Sequence, residues 1–368
     1  MSYRRRLASL ERVIRGGKEI CILFDDLSRP TRAYRVMPVL LGLFDTCGVR
    51  DEQVRFICAL GTHTPLTNVD FRKKLGAEVL ERFPVYNHNP YENCTDLGRT
   101  KLGTPVLLNK EYVSCDVRIG IGSCVPHSFC GLGGGYKLVM PGVAHVDSIS
   151  YHHGTLFNAN RDEFYAIGRY RGNPLLADLR EAGGKAPLHA KIDLLVNAQA
   201  EAVDMYAGDP EGIDEAWCEK AVAHYRTSFE RKADIVFVNT YAKGNEAVIA
   251  VSLAEEMLKD KGGDVVLLCD VPEGQVVHYL LGRFGKDTWG RLAFGERVMS
   301  PKTRRLFLYS RSKDLQGSFW FGPGKHLTWC NDLPALVESL EKDYRGRTPT
   351  VFVVPDGTIQ TARFVDKP

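Results

Sequence analysis

The reactive side chains of this chain crowd into one segment, Pro126-His127-Ser128-Phe129-Cys130-Gly131-Leu132-Gly133-Gly134-Gly135-Tyr136-Lys137, followed closely by Tyr151-His152-His153-Gly154. Glycines lack a Cβ, so such a backbone can take positive φ and lie tight against a bound group. The lysine at the edge of the loop has two uses. Its amine becomes a nucleophile or covalent anchor once desolvation lowers its pKa, or it contacts a phosphate or carboxylate as a cation, and spacing does not separate the two. A Walker loop is a poor match, because Leu138 stands where a magnesium-binding Ser or Thr is needed. Histidine exchanges protons near neutral pH. His63 and His127 are therefore a candidate acid and base held across a substrate. His152 and His153 are candidate metal ligands, and of two adjacent residues only one is expected to point inward. Arg29, in Asp25-Asp26-Leu27-Ser28-Arg29-Pro30, offers a guanidinium fork for a carboxylate or phosphate. The remaining histidines lack such settings and read as structural.

The elements that must position these residues alternate between strand and helix. Apolar runs at 20–24, 54–60 and 116–122 read as strands, with helices over 34–44 and 68–83. Arg29, His63 and His127 each follow one of these strands, so an α/β layer with a mostly parallel sheet would bring them to one face, where such sheets collect ligands. From Leu188 to Glu230 the chain reads as helical, broken at Gly208-Asp209-Pro210. Strands at 234–238, 263–269, 305–309 and 349–354, with helices over 245–259 and 333–344, form a further α/β series. This predicts an N-terminal α/β domain over 1–228 and a C-terminal α/β domain over 229–368, with an interface between them.

A length of 368 residues suits two domains. A formal charge of +3 and a short basic run at Arg4-Arg5-Arg6 argue against nucleic acid as a partner. No apolar stretch has the length of a membrane helix or the form of a signal peptide, so a cytoplasmic protein with no membrane partner is expected. The ten cysteines contain no Cys-x-x-Cys pair and read as buried free thiols; Cys124, His127 and Cys130 are the one local zinc candidate.

Asp26-Leu27-Ser28-Arg29-Pro30, Gly61-Thr62-His63-Thr64-Pro65, Pro126-His127-Ser128-Phe129, Gly133-Gly134-Gly135-Tyr136-Lys137 with Pro141-Gly142, and His153 stand in the order and spacing of the nickel-dependent lactate racemase family, which the chain resembles. The resemblance implies a nickel pincer nucleotide, a pyridinium mononucleotide whose sulfur and carbon atoms grip nickel, tethered to Lys137 through a thioamide. It implies His153 as the nickel ligand, His63 and His127 as acid/base residues on opposite faces of the substrate, and Asp26, Ser28, Gly134 and Gly135 beside the cofactor. Arg29 and Phe129, with Glu246 and Trp289 from the second domain, would contact substrate, in an interdomain active-site cleft where the first domain carries the cofactor site and the second completes the substrate site. The implied reaction is racemisation or epimerisation of a 2-hydroxy acid: hydride leaves to the cofactor as one histidine takes the hydroxyl proton, and returns to the other face of the planar keto acid. Cofactor-biosynthesis proteins would be partners for delivery. Where the family has a glutamine and, three residues on, a lysine, this chain has Glu246 and Ile249, which points away from lactate itself. The competing readings are a non-catalytic binding protein for an acidic metabolite or nucleotide, and a zinc hydrolase built on His127, His152 or His153.

Overall fold

The computed structural model describes residues 10–159, 167–210, 215–280, 299–315, 317–322 and 324–364. The chain divides into two compact units, Met1–His224 and Tyr225–Pro368.

The first unit is built on a six-stranded sheet ordered β10-β9-β6-β1-β2-β3. Its strands are β1 (Ile20–Phe24), β2 (Val54–Cys58), β3 (Val85–Asn87), β6 (Val117–Ser123), β9 (Ala190–Val196) and β10 (Ala202–Gly208). β1 is buried along its whole length, as a strand covered on both faces must be. It pairs in parallel with β2 and β6, Phe24 facing Cys58 on one side and Ile121 on the other. Only β10 runs antiparallel, against β9. The helix Met37–Cys47 returns the chain from β1 toward β2, opened by Pro38 and stopped by Gly48 in the left-handed region. The hairpin β4 (Cys94–Arg99) and β5 (Pro105–Asn109) and the short pair β7 (Pro126–His127) and β8 (Gly131–Leu132) stand apart from the main sheet.

Over 188–230 the sequence reads as helical with a break at Gly208-Asp209-Pro210, and the structure differs before the break. β9 and β10 occupy that part, and among the described residues the helix is Glu215–Tyr225. The Ala- and Leu-rich composition favours helix locally, but Ile192, Leu194 and Val196 alternate and are buried when β9 docks beside β6. Asn197 makes the turn to β10 by accepting from the backbone N–H of Gln199 and Glu201 through its side chain. The helix expected over 68–83 is likewise two, Asn68–Leu75 and Ala77–Arg82, parted by Gly76 at φ 92°.

His88 is one of the structural histidines. It is 2% exposed, hydrogen-bonds through Nε2 to the Ala144 carbonyl at 2.9 Å, and accepts from Asn109 at Nδ1. Burial, helped by His145 and opposed by the Ala144 carbonyl, pushes it down to about 4. The unfolded chain therefore takes up this proton as pH falls below about 6.5, whereas the native state resists until about 4. We expect urea titrations at pH 4.5 to show a loss of about 2 to 3 kcal/mol from this site relative to pH 7. His88→Gln should show a shallower acid loss; an unchanged slope would contradict the assignment.

The second unit holds a five-stranded, all-parallel sheet ordered β15-β14-β13-β12-β16. Its strands are β12 (Ile235–Asn239), β13 (Gly263–Leu268), β14 (Thr303–Tyr309), β15 (Leu327–Cys330) and β16 (Val351–Val354); β11 (Arg226–Phe229) pairs separately with β17 (Thr361–Phe364). Alternate residues cover both faces. Val236, Val238, Val265, Leu267, Leu306 and Leu308 pack with the helix Val248–Met257, while Ile235, Val266 and Phe307 pack with Leu336, Leu340 and Tyr344 around the helix Leu333–Asp343. The protein is thus of the α/β class with mostly parallel sheets. All ten cysteines are free thiols, and no helix among the described residues is long and apolar enough to cross a membrane.

Candidate functional site

The first sheet grows in two directions from its centre. From β1 the chain proceeds to β2 and β3 on one side and later to β6, β9 and β10 on the other, so connections diverge beyond the carboxyl ends of β1 and β6. Crevices at such switch points are where open parallel sheets bind ligands. The loops after β1, β2 and β6 carry Arg29, His63 and His127. β2 and β6 flank β1 directly, which separates their ends by roughly 10 Å, two interstrand spacings.

The first group of side chains is organised by a carboxylate. Asp26 Oδ2 lies 2.6 Å from His63 Nδ1, and Asp26 Oδ1 accepts from Ser28 through its backbone N–H at 3.0 Å and its hydroxyl at 2.5 Å. Arg29 Nη1 donates to the Ser28 hydroxyl at 2.8 Å. Burial raises the Asp26 carboxyl, but the charge and hydrogen bond of His63, with Arg29 and Ser28, more than reverse this and hold it well below the usual carboxylate range. An ionised Asp26 only accepts, so His63 donates from Nδ1, and its Nε2 is the nitrogen that gains or loses a proton. Beneath, Lys74 pairs with Asp25 at 2.7 Å and donates to the Asp26 carbonyl at 2.8 Å, pinning the loop from within the core.

The second group uses its imidazole the other way, as an acceptor at Nδ1. His127 Nδ1 accepts from the backbone N–H of Phe129 at 3.1 Å and of Cys130 at 3.2 Å. Two donors on Nδ1 require it to be unprotonated, so any proton His127 exchanges is carried on Nε2. Nε2 lies 3.1 Å from Lys137 Nζ, which sets the lysine amine within hydrogen-bond reach of the imidazole. Phe129 sits edge-on to both His127 and His153, with ring centroids 5.7 Å away in each case, and stacks on Phe157 at 4.2 Å.

His152 and His153 depart from expectation, since both are buried, at 0% and 7% exposed. Residues Tyr151–Leu156 form a wide π turn continuing the helix Val146–Ser150. Such turns favour functional sites, and here the wider winding lets consecutive side chains face inward together. Their Nδ1 atoms are 3.1 Å apart, and His152 Nε2 is 2.8 Å from the Leu175 carbonyl. A carbonyl only accepts, so His152 is protonated on Nε2 and accepts at Nδ1 from the Nδ1–H of His153. The coordinating lone pair of His153 is thereby on Nε2.

The glycine loop rests on a buried carboxylate. Gly134 and Gly135 take φ of 80° and 55°. Gly135 N–H donates to Asp193 Oδ2 at 2.7 Å, and a Cβ on Gly134 would come within 2.8 Å of the same oxygen. Asp193 is paired with Lys191 at 2.5 Å, both side chains fully buried. The loop needs glycine because it lies directly on this pair.

The expected residues of the second unit are placed separately. Glu246 closes a 3-10 turn after β12 and pairs at 2.5 Å with Lys243, itself 2% exposed. Trp289 lies outside the described residues. Sequence reasoning missed Lys191, Asp193, Lys74 and Lys243, and the resemblance gave His152 no part beside His153. For the Lys191–Asp193 pair a signal was present, because opposite charges two apart in Ala-Lys-Ile-Asp-Leu-Leu-Val share one face of a strand.

Known proteins share sequence and fold with this chain. Residues 5–164 match the Lactate racemase N-terminal domain. The lactate racemase of Thermoanaerobacterium thermosaccharolyticum is 27% identical over 276 residues, 72% of this chain and 63% of the relative. That of Lactiplantibacillus plantarum is 26% identical over 213 residues, 57% and 49% respectively. Each match thus spans less than two thirds of the relative's length. In structure, the lactate racemase apoprotein from T. thermosaccharolyticum superposes with a TM-score of 0.75 at 22% identity, covering 96% of this chain and 88% of that one. A Thermotoga maritima protein gives 0.71 at 16% identity, covering 99% of both. Taken with the motifs that gather around the ends of β1, β2 and β6, these matches show a chain that carries a Lactate racemase N-terminal domain over residues 5–164 and is similar in sequence and fold to lactate racemases.

Proposed function

We propose that this protein is a racemase or epimerase of a 2-hydroxy acid that uses a nickel pincer nucleotide tethered to Lys137 and ligated by His153. The observation that carries the proposal is the placement of His63 and His127 after the two strands that flank β1, each with Nδ1 held by a protein group. Inverting an alcohol-bearing carbon needs one group to take the hydroxyl proton and another, on the opposite face, to supply one.

The residues present fit such a cofactor. Gly134 and Gly135 seat the loop on Asp193 and so place Lys137, whose amine lies beside the His127 imidazole, and His153 supplies one coordinating nitrogen. Among the described residues there is no cluster of three or more His, Cys, Asp or Glu suited to a metal ion. One imidazole suits a metal that brings its other ligands with it, and gives a zinc hydrolase no support. When bound, the cofactor would supply a reversible hydride acceptor. The protein's part is proton management and orientation: His63 takes the hydroxyl proton of one enantiomer, His127 serves the other, Arg29 is suited to the substrate carboxylate, and Phe129 bounds the space between His127 and His153. Glu246 in place of the family's glutamine, already paired with Lys243, supports a 2-hydroxy acid other than lactate. Delivery of the cofactor would fall to its biosynthesis proteins.

Protein purified from cells that make the pincer nucleotide is expected to carry about one nickel per chain by elemental analysis, with the adduct mass on the peptide containing Lys137. Nickel-free protein with an unmodified Lys137 from the same cells would refute the proposal.

A further inference from the structure

We propose that His152 is a positioning residue that fixes the tautomer and ring plane of His153, so that His153 Nε2 faces the metal with its lone pair. The inference rests on the reading of His153 as nickel ligand. It goes beyond that reading because it assigns a role to the neighbouring residue, which the sequence placed on the opposite side of its helix.

Three observations converge. The relay is directional: the Leu175 carbonyl can only accept, so the proton order Leu175 O, Nε2–H of His152, Nδ1 of His152, Nδ1–H of His153 has one arrangement. Its far end is fixed. Leu175 opens the helix Pro174–Gly184, and the Asn173 cap accepts from the backbone N–H of Leu175 and Leu176 while its own amide donates to the carbonyls of Phe129 and Arg169. The acceptor is therefore tied to the loop whose Phe129 ring lies edge-on to His153. Finally, the π turn exists at a cost, since wide turns are rare and less well packed than α-helix, and here it brings both imidazoles inward. A helix with only His153 inward would present the imidazole with neither tautomer nor orientation set. Metal-ligating histidines nearly always donate their second N–H to a fixed partner, and loss of that partner commonly weakens metal binding by about 10 to 100-fold. The usual partner is a carboxylate or carbonyl. Here an imidazole relays to a carbonyl.

The test uses holoprotein carrying the cofactor, in wild-type, His152→Leu and His152→Gln forms, and reads nickel loss to a chelator, the visible absorption spectrum and the adduct mass on Lys137. His152→Leu fills the space without hydrogen bonds, and we expect it to keep the adduct but lose nickel about 10 to 100-fold faster, with shifted absorption bands. His152→Gln can accept from His153 and donate to Leu175, and should restore most of the retention. Nickel loss and spectrum in His152→Leu equal to wild type, or a glutamine variant no better than leucine, would overturn the inference. A wild-type protein without nickel or adduct would instead overturn the function proposed above. Independently of how the variants fold, ¹⁵N shifts of the imidazoles in unloaded wild-type protein should show His153 protonated on Nδ1 and His152 on Nε2; the reverse assignment for His153 also overturns it.

Discussion

Replacing His63 or His127 with alanine should slow interconversion of 2-hydroxy acid enantiomers by about 10²- to 10⁴-fold in either case, the usual loss on removing a general acid or base. Nickel and the Lys137 adduct should remain in His63→Ala, whose ring is held by Asp26 and Ser28. The two variants should also differ in a way that a shared structural defect would not produce. Each retains the base for one enantiomer, so each should still form bound keto acid from that enantiomer in a single turnover, and the two variants should prefer opposite enantiomers. Equal loss of both half-reactions in both variants would mean that the histidines do not act on opposite faces. Asp26→Asn should resemble a weaker His63→Ala, because an amide no longer enforces the Nδ1–H tautomer.

Removing the carboxylate beneath the glycine loop should have the largest effect on stability. Asp193→Ala strands the Lys191 ammonium, which is fully buried, and breaking a buried pair from one side costs about 3 to 5 kcal/mol. It also removes the acceptor for Gly135 N–H. The double replacement Lys191→Met with Asp193→Leu should recover much of the stability, since an apolar pair of similar volume is often tolerated in such a place. The recovered protein should nonetheless load Lys137 poorly, because the loop has lost its anchor. Urea titration and adduct mass measured on the same preparations separate the two effects. A single variant as stable as wild type would contradict the buried pairing, and full loading of the double variant would contradict the anchoring role.

The parts of the site that were legible in the sequence are those whose chemistry is written in residue type. Lys137 beside glycines and the histidines after apolar runs needed only the rule that parallel strands deliver their following loops to one edge. What was not legible depends on context at a distance. Composition made β9 look helical, and only its place beside β6 turns Ile192, Leu194 and Val196 into core. His152 could not be assigned because the expectation of one inward residue assumes an α-helix, and the π turn breaks that assumption. The Gly134 requirement follows from Asp193, a residue far along the chain that reaches the loop only because β9 packs beside β6.

The central claim is that the protein inverts a 2-hydroxy acid by moving hydride away and back while His63 and His127 move protons. It is tested most directly with a panel of enantiopure 2-hydroxy acids deuterated at C2, incubated with nickel-loaded protein in ordinary water, with configuration and label read in the product. The account predicts, for at least one member, product of inverted configuration that keeps its deuterium, formed more slowly than from the protiated acid. Inversion with the deuterium lost to water, or no inversion of any member by protein shown to carry nickel and the Lys137 adduct, would contradict it.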